Sequence, residues 1–188
     1  MSQIENLRAV IRQLSLSRLS LTAPIPGLTL KETQTAEDLV HGAMMSVILI
    51  AGGAFRLAFK AHFTSRSVKN LLVLSTGAPS PSIQETQIKD YMREYCNLVA
   101  GGVKASFTSI GVASGISLPL VTDGFDEVLY VASQKPDVVQ DLWEVNWSSG
   151  AILCGTSLEI LDRDQFNKLA IRAEASSTET SSDEDAFL

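Results

Sequence analysis

At 188 residues the chain is long enough for one domain with a substantial core, and its apolar fraction of 45% is that of an ordinary globule. The formal charge of −6 is mostly local: Glu174, Glu179, Asp183, Glu184 and Asp185 supply five of the negatives and leave residues 1–173 near −1. A near-neutral body lacks the basic footprint that nucleic acid demands, and the two cysteines and two histidines form no CxxC and no metal-ligand spacing.

The N-terminal Met-Ser-Gln-Ile-Glu has neither a basic region nor an apolar signal core. The most hydrophobic run, Met44 to Phe55, is too short to span a bilayer and is interrupted by Gly52-Gly53. A cytoplasmic chain with two free thiols, no nucleic-acid partner and no membrane partner is expected.

The opening segment, Ile4 to Leu14, spaces its apolar residues by three and four and predicts an amphipathic helix, with Ser2 as cap and Glu5 three residues on. Pro24, Pro26 and Gly27 end it and lead to a strand over 28–33. Met44 to Ala51 is apolar and β-branched enough for a buried strand, Gly52-Gly53 make a turn, and Phe55 to Phe63 returns as the antiparallel partner. Ser67 to Leu74 reads as a short helix capped by Ser65 or Ser67, and Ser82 as the cap of a long helix running through Lys104.

Three strands follow, Ile116–Thr122, Leu142–Ser148 and Ala151–Ile160, the last two joined by a turn at Ser148-Ser-Gly150. Asp162 to Ala170 closes the domain as a helix. From 174 to 188 the Ser/Thr/Glu/Asp composition predicts a disordered acidic tail, whose Ala186-Phe-Leu188 is a candidate docking motif. The element order predicts a two-layer α+β sandwich over residues 1–173, long helices packed on a mainly antiparallel sheet.

The long helix carries the chemistry. At 100° per residue Ile88, Met92, Tyr95, Val99 and Gly102 form one stripe, with Cys96 and Val103 at its edge. Asp90, Glu94, Asn97, Gly101 and Lys104 fall on the opposite side. The first stripe is what a domain buries; the second sets a carboxylate and a carboxamide one turn apart toward solvent or a partner. A carboxylate that can engage a lysine and an amide that can orient a water suit hydrolysis at another protein's active site. An ordinary solvated helix face has the same polar character, so the pair alone does not decide.

Other features have plainer readings. Ala100 to Ser106 lacks the GxxxxGK[ST] spacing and lies within a helix, which excludes a phosphate loop. His41 and His62 have no Ser or Cys placed for a triad. Trp143 and Trp147 share one strand face and suit a core or a dimer surface.

Asp90-x3-Glu94-x2-Asn97, with Pro119 beyond it, resembles the CheX/CheC/FliY family of response-regulator phosphatases. That family carries Asp or Ser, then Glu, then Asn at these intervals, and a Pro about 22 residues later; here 21 residues separate Asn97 from Pro119. Asn97 to Gly101 continues with the small residues of the family helix, and the Ile50-Ala-Gly-Gly53 hairpin sits where members have a similar turn. A second ExxN is missing: the first helix has Glu5 followed by Arg8, and Asp164-Gln-Phe-Asn167 has Asp for Glu. One site per chain is the CheX pattern.

The resemblance implies a CheC/CheX-like fold, a homodimer, and a phosphatase for the aspartyl phosphate of a CheY-like phosphorylated receiver. Glu94 and Asn97 would be catalytic; Asp90, Gly101 and Lys104 would touch the partner. The Mg²⁺ would belong to the receiver, and this chain would bind no cofactor of its own. The alternatives are a non-catalytic receiver-binding or scaffolding module of the same fold, and a dimerisation domain that keeps the helix for packing. The last requires Glu94 and Asn97 to be buried or bonded within the chain.

Overall fold

The computed structural model describes residues 2–21, 25–33, 44–77, 79–123 and 137–171. Its frame is one antiparallel sheet. β1 (Thr29–Glu32), β6 (Val138–Trp147), β7 (Gly150–Ile160), β3 (Phe55–Phe63) and β2 (Met44–Gly52) lie side by side in that order. β4 (Ser114–Ile116) and β5 (Leu120–Asp123) both pair with the outer side of β2. The helices α1 (Gln3–Ser20), α2 (Ser65–Thr76), α3 (Glu85–Ser109) and α4 (Arg163–Asn167) pack against it, with a single 3₁₀ turn at Ser80–Ser82.

The period-two alternation of the strands decides which sheet face the helices cover. Phe55, Leu57, Phe59, Ala61 and Phe63 on β3 alternate inward, as do Trp143, Val145 and Trp147 on β6 and Ile152, Cys154 and Leu158 on β7, and all are buried. α3 answers with Ile88, Met92, Tyr95, Cys96, Val99, Val103 and Phe107. Phe107 stacks on Phe55 with ring centroids 4.4 Å apart, and Phe59 lies between Tyr95 and Trp143. Trp143 and Trp147 are therefore core residues.

Ser15 pairs two of the polar groups inside this layer, whereas Trp147 Nε1 and Ser46 Oγ are buried without a hydrogen-bond partner among the described residues. Trp143 Nε1 donates to Ser15 Oγ at 2.9 Å, and the Tyr95 hydroxyl donates to the Ser15 carbonyl at 3.0 Å, so one serine of α1 ties β6 and α3 together. Burial pushes the Tyr95 phenol well above its ordinary range. The Cys96 thiol reaches the Ser46 carbonyl, and both cysteines are free and buried. α1 and α3 meet closely because Gly102 has no side chain: a Cβ there would lie 2.6 Å from Leu14 Cδ2.

The expected elements are present, with corrections at their ends. Thr64, rather than Ser65 or Ser67, caps α2, accepting from Ser67 N–H in a reciprocal box, and the helix extends to Thr76 before Gly77 turns left-handed at φ 68°. Ser82 belongs to the 3₁₀ turn; Gln84 caps α3 by exchanging bonds with Gln87, and the helix continues past Lys104 to Ser109. β6 starts at Val138 instead of Leu142. The closing helix shrinks to Arg163–Asn167, capped by Asp162. The strand expected over 116–122 is two strands joined by a bulge. Residues 174–188 and His41 lie outside the described residues.

Candidate functional site

α3 is set by its buried stripe. Tyr95 and Gly102 face α1, the core residues face the sheet, and the remaining arc turns to solvent. Asp90, Glu94, Asn97, Gly101 and Lys104 are all exposed and, at 100° per residue, share an arc of about 80°. Glu94 and Asn97, three residues apart, place their Cβ atoms about 5–6 Å from one another. Among the described residues neither side chain has a hydrogen-bond or ion-pair partner. Among the described residues the pair is thus neither buried nor bonded, contrary to what the packing-only reading requires.

The other members of the arc differ from one another. Asp90 pairs with Arg93 Nη1 at 2.6 Å, a contact that sequence reading missed although the two stand at i and i+3. Gly101 opens onto free space, with nothing within 4 Å of where a Cβ would be. Lys104 is exposed two turns from Asn97. Near the start of the helix the Glu85 carboxylate and Lys89 ammonium pair at 2.5 Å. Their hydrogen bond and charges hold the ammonium above its ordinary range, and Asp123 on β5 adds to that field.

Where a second motif would stand, α1 is committed to structure. Arg8 pairs with Glu5 at 2.7 Å and donates through Nη2 to the Gln140 carbonyl at 2.8 Å. Arg12 grips the buried Asp141 with both arms of its fork, at 2.8 and 2.6 Å, and also reaches Glu32. Burial disfavours the Arg12 charge, but Asp141 and Glu32 outweigh it and hold the guanidinium above its ordinary range. These residues line a cleft of about 420 Å³ between α1, β1 and β6, whose charges neutralise one another. Nothing in the local pattern around Asp141 signals this partner, because it lies 129 residues away. α4 presents Asp164 and Asn167 on a five-residue helix anchored by buried Phe166.

Among the described residues no group of three or more His, Cys, Asp or Glu side chains could hold a metal ion. No helix among them is long and apolar enough to cross a membrane.

An antiparallel sheet covered by one layer of helices defines a two-layer α+β class. A CheC-like superfamily protein from Shewanella sp. PV-4 superposes with a TM-score of 0.66 at 18% identity, covering 82% of this chain and 97% of that one. CheX from Vibrio vulnificus gives 0.62 at 15% identity, covering 85% and 99%. A chain of the CheX–CheY–BeF₃–Mg²⁺ complex from Borrelia burgdorferi gives 0.54 at 11% identity, covering 84% and 95%. At these identities the likeness establishes the fold. The sequence pattern of the family described as chemotaxis phosphatase CheX matches residues 43–142, more than half of the chain, and the chain belongs to that family. No curated protein matches the sequence.

Proposed function

We propose that this chain hydrolyses the aspartyl phosphate of a CheY-like receiver by presenting the exposed arc of α3 to it. The observation that carries the reading is the Glu94–Asn97 pair, exposed, without partners in the described residues, and one turn apart on a helix pinned along its other side. Membership of the chemotaxis phosphatase family supports it, as does the fold shared with a chain of a CheX–CheY complex.

Hydrolysis of an acyl phosphate is an in-line attack by water, in which positioning and charge stabilisation do most of what a protein can contribute. The Asn97 carboxamide both donates and accepts, so it can hold a water in line; with no basic nitrogen it cannot take the proton. Glu94 pairs with a lysine of the receiver and fixes the helix in register. The divalent cation and the phosphorylated aspartate belong to the receiver. Gly101 lets the partner's backbone approach, since no side chain intervenes. If water orientation accelerates the reaction about a hundredfold, it lowers the barrier by about 2.7 kcal/mol.

The test is dephosphorylation of a Mg²⁺-loaded, aspartyl-phosphorylated receiver from the same organism. The wild type is expected to accelerate phosphate loss. Asn97→Ala should abolish the acceleration and leave receiver binding largely intact, whereas Glu94→Ala should weaken both. Binding without acceleration across the organism's CheY-like receivers would replace catalysis by the non-catalytic receiver-binding reading.

A further inference from the structure

Opposite the middle of β2 the edge chain holds one residue too many. Ile50 pairs with Ile116 and Val47 with Leu120. Between those pairs β2 has Ile48 and Leu49, while the edge has Ser117, Leu118 and Pro119. This is a β-bulge, a device that re-aims side chains and ends pairing. Ser117 holds it: its N–H donates to the Leu49 carbonyl at 2.9 Å, and its Oγ accepts from Leu49 N–H at 3.0 Å. Pro119 has no N–H to satisfy. Ile48 stays buried at 1% exposure while Leu118 is expelled to 90%.

The expelled leucine stands next to the polar arc of α3. Tyr95 and Gly102 meet α1, so the other flank of α3, with Lys89, Arg93, Asn97 and Lys104, faces the β4–β5 edge. Asp123 on β5 acts on Lys89, and β4 follows the end of α3 directly, so the edge runs back along the helix. Five residues of extended chain from Asp123 to Leu118 span about 17 Å, and twelve helical residues from Lys89 to Gly101 span about 18 Å. Leu118 is level with the Asn97–Gly101 turn.

We propose that the Ser117–Pro119 bulge presents Leu118 as an apolar docking contact for the receiver that engages Glu94 and Asn97. This rests on the phosphatase reading. Two features argue against a second copy as the occupant. One exposed leucine offers only a small fraction of the roughly 800 Å² per partner of a stable interface. Strand addition at this edge is blocked by the bulge and by Pro119, which leave only a three-residue and a four-residue strand. A single apolar contact beside a polar arc suits a partner that binds, reacts and leaves.

The experiment compares wild type, Leu118→Ser, Leu118→Met and, as a control, Leu161→Ser. Each is titrated with a beryllofluoride- and Mg²⁺-loaded CheY-like receiver and assayed against the phosphorylated one, with oligomeric state measured by light scattering. Leu118→Ser is expected to raise both Kd and KM about tenfold, the range for one exposed side chain buried at a rim, and to leave kcat within about twofold. Leu118→Met should restore most of the loss, and Leu161→Ser should match wild type. Unchanged Kd and KM in Leu118→Ser overturn the proposal, while Asn97→Ala still losing turnover keeps the phosphatase reading intact. A variant that changes oligomeric state at unchanged receiver affinity assigns Leu118 to a second copy. Failure of the wild type both to bind and to dephosphorylate any receiver removes the phosphatase reading, and this proposal with it.

Discussion

Gly101 and Gly102 are chain neighbours in the middle of α3, and alanine at the two positions should move stability in opposite directions. In a helix interior Gly is about 0.8–1 kcal/mol worse than Ala, because the unfolded chain has more freedom to lose. Gly101 is exposed and its Cβ would meet nothing within 4 Å, so Gly101→Ala takes the whole gain. For a chain of this length that is a rise in Tm of about 2–4 °C. Gly102→Ala has the same propensity gain, but its Cβ would lie 2.6 Å from Leu14 Cδ2 and 3.1 Å from Cδ1. Leu14 packs against the core from α1, so relieving the overlap means an altered rotamer or a shift of α1. Overpacking of this kind costs about 1–3 kcal/mol, which leaves Gly102→Ala about 1 kcal/mol below wild type.

Urea unfolding followed by the fluorescence of buried Trp143 and Trp147 reads both changes directly. Gly102→Ala as stable as Gly101→Ala would refute the packing account of the α1–α3 contact. If Gly101 is also a point of close approach, Gly101→Ala will be the more stable protein and the poorer phosphatase, with a raised KM.

Two further outcomes follow from buried groups. Burial pushes the Cys96 thiol from its ordinary 9.0 up to about 12 and raises the Cys154 thiol as well, so the folded chain keeps protons that the unfolded chain releases. Their contribution to stability is complete below about pH 9 and is lost as pH rises towards 12, at about 1.4 kcal/mol per pH unit for each thiol. Urea midpoints should therefore fall between pH 8 and pH 10.5, less steeply in Cys96→Ala, and a flat profile would count against this. Asp141→Asn replaces the acceptor that both arms of the Arg12 fork share and leaves a partly buried guanidinium facing an amide N–H₂. It should cost about 2–3 kcal/mol in thermal or urea unfolding, and a change under about 0.5 kcal/mol would show that water replaces the carboxylate.

What was legible in the sequence is what repeats within a single segment. The α3 pattern from Ile88 to Lys104 separates into a buried and an exposed face with no help from elsewhere, and the Met44–Phe63 hairpin declares itself through its apolar strands and Gly52-Gly53. The five arc residues expected on one side are indeed together and exposed, which is a statement of placement and leaves their roles to the assays above. Harder to read was whatever depends on distant partners. Val138 to Asp141 looks too polar for the start of a central strand until Arg12 arrives from α1. Thr64, Ser65 and Ser67 are three chemically competent caps, and only the path of the chain out of β3 selects the threonine. The bulge was invisible because Ser114-Gly-Ile-Ser117 has no alternation from which to count register.

The serine that joins Trp143 to Tyr95 has a consequence for the opposite side of α3. A cylinder packed only by apolar contacts can rotate a little about its own axis at small cost, and one residue step corresponds to about 100°. Here the Tyr95 hydroxyl is tethered to the Ser15 carbonyl, and Leu14 sits in the gap above Gly102, so that rotation is stopped at two heights along the helix. The side of α3 that carries Asn97 is therefore turned outward as soon as the domain folds. Whatever meets that face finds the helix already oriented, and the ordering left to an encounter is that of exposed side chains such as Asn97.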